Sequence, residues 1–300
     1  MTTVPFPPLA VPPKLVATDL DGTLLRSDGS LAPRTKAALA AAEEAGICVA
    51  LVTGRPPRSV PALQERIRPH VVIAANGATV HLPDGAVAQT FPIPFPAAVR
   101  LVRRVRAAIP GVSFAFEFGE ASGHEPTYPD WSFGGEAVEL VGPAEEILAH
   151  VPGGPLVKIL GHHPALPLAD FYRQARHTAG PSAETTHSTG LSLVEFSAPH
   201  VTKATTLVAW SGRQGIAVDE IAAFGDMPND LPMLRAVGHS YAMSNGHPDV
   251  LAAARHRAPS NDEDGVARVL EGFLSARVRR STERAGACGA HAPGPGSVPG

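Results

Sequence analysis

Residues 15–25 read LVATDLDGTLL. A short apolar run ends at Thr18, and two carboxylates, Asp19 and Asp21, follow one residue apart ahead of a Gly-Thr pair. Side chains two apart on an extended chain point the same way. Carboxylates held that close repel unless a proton or a cation sits with them. The stretch reads as a buried strand that delivers acid to one spot at its carboxyl end. On its own, Asp-Gly is also an ordinary turn, and an aspartate after a strand is often a helix cap. The rest of the chain decides between these readings.

Outward from this stretch, strand-like and helix-like segments alternate. PRTKAALAAAEEAGI (33–47) is alanine-rich, opens on proline and closes at Gly46, as a helix does. ICVALVT (47–53) and HVVIAA (70–75) are further apolar strands. Near the far end, VTKATTLVAWSGRQG (201–215) reads as a helix, IAAFGD (221–226) as a strand, DLPMLRAVG (230–238) as a helix and SYAMS (240–244) as a strand. Strands apolar on both faces that alternate with helices imply a parallel sheet covered on both sides, an α/β fold. Residues 82–198 have another texture. They hold helix-like AAVRLVRRVRAAI and LADFYRQARHT, strand-like VSFAFEF and PLVKIL, and a hairpin-like AETTHSTGLSLVEFS turning at Gly190. This span is expected to form a separate α+β module inserted into a core made of residues 14–81 and 199–276. The proline-rich residues 1–13 and the Gly/Pro-rich residues 277–300 are expected to be disordered.

In a parallel sheet, ligands bind beyond the carboxyl ends of the strands. Asp19 and Asp21 follow the first strand, Thr53, Gly54 and Arg55 the second, Asn76 and Gly77 the third, and Gly225 and Asp226 a later one. All are thereby placed at one edge of the sheet. Mg2+, a hard cation, suits oxygen ligands, and Asp226 offers a third carboxylate. Thr53 and the amides near Gly54 suit phosphate oxygens, and a lysine would neutralise more of the charge. The site reads as a metal-bridged phosphate pocket. Taken singly, Asn76-Gly77 is a turn, Lys203 a solvated helix residue, and Asn229 or Asp230 a helix cap. Their order along the chain favours the joint reading.

Composition excludes other classes. The 25 Lys and Arg and 28 Asp and Glu give a net charge of -3, so no basic surface suggests a nucleic-acid partner. No apolar stretch approaches the roughly 20 residues of a membrane span. Cys48 sits in an apolar run and Cys288 in the tail, so no disulfide framework is expected, which favours the cytoplasm.

DLDGTLL, TGR, ANGA, VTKATTL and GDMPND, in this order, resemble the haloacid dehalogenase-like phosphatases. The long insert between TGR and VTK is similar to that of the Cof-type branch, whose cap lies between the second and third motifs. The resemblance spans about residues 14–274. It implies a Rossmann-like core, an α/β cap that selects the substrate, and Mg2+-dependent hydrolysis of a small phosphate ester through an aspartyl-phosphate. On this resemblance Asp19 is the nucleophile and Asp21 the general acid and base. Thr53, Gly54 and Lys203 hold phosphate oxygens, and Asn229 touches phosphate or Asp19. The metal takes Asp19, the backbone carbonyl of Asp21, and Asp226. Asp230 reaches metal-bound water or orients Lys203, Asn76 faces the substrate, and Arg55 follows the phosphate-binding turn. Many relatives read Ser-Lys-Gly where this chain has Thr202-Lys203-Ala204; the lysine is kept.

In the insert, FEFGEASGHEPTYPDWSF (116–133) offers His124, Tyr128 and Trp131 as candidate pocket residues, although such aromatics are more often packing. His162 and His163 read as solvated loop rather than metal ligands, and RLVRRVR (100–106) as the exposed face of an amphipathic helix. Two alternatives stay open. A phosphomutase would return phosphate to a hexose phosphate rather than to water. A phospho-acceptor switch uses a similar acidic pocket, but Asp21 argues against it, since a built-in base would hydrolyse the phospho-aspartate.

Overall fold

The computed structural model describes residues 12–129, 138–149 and 154–276. Trp131, Cys288, residues 1–11 and residues 277–300 lie outside the described residues.

The chain first lays down β1 (Leu15–Thr18), α1 (Pro33–Glu44), β2 (Cys48–Val52), α2 (Val60–Ile67), β3 (Val71–Ala74), β4 (Thr79–His81) and β5 (Val87–Thr90). Next come α3 (Phe95–Ala108), β6 (Ser113–Glu117), β7 (Ala121–His124), β8 (Val138–Val141), α4 (Ala144–Ala149), β9 (Lys158–His162), α5 (Leu168–Ala179), β10 (Glu184–Thr186) and β11 (Leu193–Ser197). The chain then returns with α6 (Lys203–Arg213), β12 (Ile221–Gly225), α7 (Leu231–Ala236), β13 (His239–Met243), α8 (Pro248–Ala253), β14 (His256–Ala258) and a helix over 265–276.

These strands form two sheets. The larger runs β14-β13-β12-β1-β2-β3-β4-β5 and is parallel from β14 to β3. Its strands read as continuous apolar runs because alternate residues enter different cores. Val16, Leu51, Val72 and Phe224 pack beside Leu39 and the 265–276 helix. Leu15, Val52, Ile73 and Ala223 pack beside Leu207 and Trp210 of α6 and Met233 of α7. The first and last parts of the chain therefore build one sheet, with β1 between β2 and β12.

Strands β4 and β5 extend that sheet antiparallel. Strand β5 falls inside the 82–198 span expected to form the insert, yet it hydrogen-bonds to β4 in the large sheet. Every strand of the smaller sheet, β10-β11-β9-β6-β7-β8, lies within residues 113–197. On one of its faces Phe114, Phe116, Ile159 and Phe196 pack against residues of α3 and α5 such as Val102, Val105 and Phe171. The period of two sends Glu117, Lys158, Leu160, Leu193 and Glu195 to the other face.

His163 is buried rather than solvated. Its Nδ1 accepts from the amides of Ala165 and Leu166 at 3.1 and 2.9 Å, and its Nε2 lies 3.0 Å from the Pro110 carbonyl.

Candidate active site

The carboxyl ends of β1, β2, β3 and β12 meet the start of α6. Asp19 leaves β1 with its amide bonded to the Phe224 carbonyl of β12 at 3.1 Å. Thr202 caps α6 in a reciprocal box with Thr205, each amide donating to the other's hydroxyl at 2.9 and 3.1 Å. That cap sets Lys203 in the first helical turn, aimed at the end of β1. The Thr202–Ala204 departure from the common motif therefore leaves the lysine in place.

Lys203 is buried, with Nζ 2.7 Å from Asp19 Oδ1 and 2.7 Å from Asp230 Oδ1. Asp230 does not cap α7. Its Oδ2 instead accepts from the amides of Asp226 and Met227 at 3.0 and 3.1 Å. Asp226 Oδ1 accepts from the Thr23 hydroxyl at 2.7 Å. Gly22 makes this approach possible: its φ is +77°, and a Cβ there would lie 2.3 Å from Asp226 Oδ2.

Asp19, Asp226 and Asp230 each bring an oxygen within 4.8 Å of the others. Burial, reinforced by Asp230 and Asp226, holds the Asp19 carboxyl well above its ordinary range despite the pull of Lys203. Burial and Asp230 push Asp226 up to about 7. Lys203 is raised, because the two adjoining carboxylates outweigh the effect of its own burial. One lysine faces three acids, and two of them, Asp19 and Asp226, resist ionising. Such a buried set of hard oxygen donors fits Mg2+, which would supply the missing positive charge.

Asp21 sits apart from this cluster. Its carboxylate is largely exposed and accepts from Arg55 at 2.5 and 2.8 Å in a two-pronged pair. Thr53 is buried, and its hydroxyl accepts the Arg55 amide at 3.0 Å. Asn76 is buried in the left-handed region at φ 57°, ψ 28°, and its amide donates to the Thr53 carbonyl at 3.0 Å. The Asn76 Oδ1 accepts from Asn229 Nδ2 at 3.1 Å. Gly77 lies against the start of α6, where a Cβ would meet the Thr202 carbonyl at 2.4 Å.

The site opens into a cavity of about 440 Å³. Asp19, Asp21, Gly54 and Asn229 form one wall, and Glu117, Lys158 and Glu195 of the smaller sheet form the opposite one. Glu117 pairs with Arg58 of the core. Lys158 Nζ lies 3.3 Å from Glu195 Oε2 and also donates to the Gly54 carbonyl. Sequence reasoning missed these charges. The signal was present: Glu117, Lys158 and Glu195 are lone charges in apolar strands, and alternation puts all three opposite the phenylalanines. Of the aromatics in 116–133, Tyr128 is buried with Ala115, Leu160 and Leu193.

The chain matches the family model of the haloacid dehalogenase-like hydrolases over residues 16–270. It is 27% identical over 277 residues to the pyridoxal phosphate phosphatase YbhA of Escherichia coli, covering 87% of this chain and 98% of that one. It is 28% identical over 273 residues to the 5-amino-6-(5-phospho-D-ribitylamino)uracil phosphatase YitU of Bacillus subtilis, covering 88% and 98%. A haloacid dehalogenase-like hydrolase from B. subtilis has the same fold, with a TM-score of 0.74 at 24% identity over 86% of this chain and 99% of that one. With five motifs gathered at one sheet edge and the match running from β1 into the final helix, the chain belongs to the haloacid dehalogenase-like hydrolases.

Proposed function

We propose that this hydrolase is a Mg2+-dependent phosphatase of a small phosphorylated metabolite, working through a phosphoryl group carried on Asp19. The observation that carries the reading is the Lys203-bridged acid cluster of Asp19, Asp226 and Asp230 beside a cavity large enough for a small ester. Asp19 and Asp226, with the carbonyl of Asp21, would hold the metal, and Asp230 lies close enough to join or to bind its water. When bound, Mg2+ would neutralise charge on the phosphoryl oxygens.

The chain's own residues account for the remaining chemistry. An Asp19 carboxylate oxygen attacks phosphorus, and the bond from phosphorus to the ester oxygen breaks. Asp21 gives its proton to the departing oxygen, then takes one from the water that attacks the acyl phosphate. Orthophosphate leaves and Asp19 is regenerated. Lys203 holds Asp19 in place and meets charge building on the phosphoryl group, while Thr53 and the Gly54 amide hold its oxygens. Arg55, which grips Asp21 before substrate arrives, must let go for the proton transfer and is then free to meet phosphate.

The 82–198 insert, less β5, is proposed as the cap that selects the leaving group. Its charged face already lines the cavity. Relatives named for pyridoxal phosphate and for a ribitylaminouracil phosphate support a compact, polar leaving group. The free Cys48 is consistent with a cytoplasmic setting. A phosphomutase would use the same pocket with a sugar as acceptor.

Purified protein with Mg2+ should release orthophosphate from at least one member of a panel of sugar, pyridoxal and ribityl phosphates. Chelator should stop release reversibly. Turnover that persists in chelator would overturn the metal assignment, and isomer formation without orthophosphate would favour the mutase.

A further inference from the structure

We infer that Glu195, on the smaller sheet, is a positioning residue for the reaction: acting through Asn76, it fixes which end of the Asn229 amide points back toward the core. This inference rests on the phosphatase reading above. Asn76 Nδ2 donates to Glu195 Oε2, and Asn229 Nδ2 donates to Asn76 Oδ1 at 3.1 Å. A carboxylate has only acceptors, whereas an amide has a donor end and an acceptor end. Glu195 therefore dictates that Asn76 presents its NH2 to the smaller sheet and its oxygen to Asn229. That oxygen in turn demands the NH2 of Asn229. The polarity of both amides follows from one charge on another part of the fold.

The chain of bonds ends at the pocket. Asn229 lines the same cavity as Asp19. Gly54 is packed against both amides, since a Cβ there would lie 3.1 Å from Asn76 Oδ1 and 3.6 Å from Asn229 Nδ2. Asn229 Nδ2 keeps a second hydrogen beside the phosphate-binding turn. Its Oδ1 is buried without a partner among the described residues. The Asn76 backbone is held in turn by its N–H, which donates to the Thr53 carbonyl at 3.0 Å. A flip of Asn76 would set NH2 against NH2, turn Asn229 over, and put an oxygen where a phosphate oxygen must sit.

Glu195 is built to stay ionised. Lys158 lies 3.3 Å from Oε2 and the Ser188 hydroxyl donates to Oε1 at 2.6 Å. These partners and Asn76 keep its carboxyl below the ordinary range although it is buried. Lys158 also donates to the Gly54 carbonyl, so this ion pair holds the phosphate-binding turn through Lys158 and Asn76 through Glu195. Docking of the smaller sheet thus completes the pocket floor as well as its roof.

The test uses the full chain with Mg2+ and two substrates of unlike leaving group, p-nitrophenyl phosphate and pyridoxal 5′-phosphate. Glu195→Ala should lower kcat by about 10- to 100-fold, by the same factor on both, as loss of an orienting partner does. Glu195→Gln, which can still offer an acceptor, should recover most of the rate. In an Asn76→Ala background, Glu195→Ala should cost little more, because the relay is already cut. Asn76→Ala strands no buried charge, so it keeps the test open should Glu195→Ala fail to fold; it should show the same uniform loss alone. The inference is overturned if the losses differ between leaving groups and lie in KM, which would make Glu195 a substrate contact. Additive losses in the Asn76→Ala background, or an unchanged kcat in Asn76→Ala, would also overturn it. A parent protein that releases no orthophosphate from either ester or from the wider panel fails the phosphatase reading instead.

Discussion

Lys203 carries the tightest constraint in the molecule. It is a fully buried cation whose presence depends on Asp19 and Asp230, each at 2.7 Å. Asp230→Ala leaves Lys203 its Asp19 partner but takes the acceptor from the amides of Asp226 and Met227, so it should lower unfolding free energy by roughly 1–3 kcal/mol in denaturant titration. Asp226 makes the opposite case. Its carboxyl is pushed up to about 7 from an ordinary 3.8. Between those values the native metal-free protein binds a proton that the unfolded chain has released. Metal-free stability should therefore fall as pH rises across that window, and saturating Mg2+ should reverse the trend. Thermal melts in chelator and in Mg2+ across the same pH range check both. At this scale the sequence marked Asp19 and Asp226 by their place at strand ends, while Lys203 and Asp230, singly a solvated helix residue and a helix cap, were singled out by their order along the chain and the family resemblance. It was silent on Asp21's partner: that Arg55 would take this carboxylate depends on how the turn after β2 folds over, which no local pattern encodes.

Helix α6 shows how an element delivers a residue. The Thr202–Thr205 box fixes where the helix begins, and hence where Lys203 emerges. Thr202→Ala should cost about 1 kcal/mol of stability, with a fall in kcat larger than that of a control Ala substitution elsewhere on the exposed face of α6. Strands β1, β2, β3, β12 and β13 and helices α1, α6 and α7 were legible because continuous apolar runs bounded by Gly and Pro have few other interpretations, whereas the short α2, α8 and β14 and the 265–276 helix were not read. Strands β4 and β5 were not recognised, although Pro83-Asp84-Gly85 between two short runs is a turn signal, and Gly85 does take φ +87° there. These strands are short, and β5 is half exposed at the sheet edge, so neither shows the apolar run that marked the others. The charged face of the smaller sheet was overlooked for another reason. One charge per strand carries no meaning until three strands are set side by side in register.

Across the whole molecule, the smaller sheet closes over the larger one through polar contacts: Arg58 with Glu117, Lys158 with the Gly54 carbonyl, and Asn76 with Glu195. Glu117 is not among the carboxylates placed to share a metal, which are Asp19, Asp226 and Asp230. Arg58→Leu should therefore loosen the roof, raising KM about tenfold, or ~1.4 kcal/mol, while leaving Mg2+ affinity by calorimetry unchanged. A change of texture after residue 82 was legible, whereas the contacts between the two sheets depend on side chains that meet only in three dimensions. The central claim is that Asp19 accepts the phosphoryl group. Acid quenching during turnover of a 32P-labelled ester, followed by peptide mapping, tests it most directly. The label should be found on Asp19 and should be absent from Asp19→Asn, which should fold normally and turn over at least about 10³-fold more slowly. Label on another residue, or an Asp19→Asn protein that still releases orthophosphate at the parent rate, would contradict it.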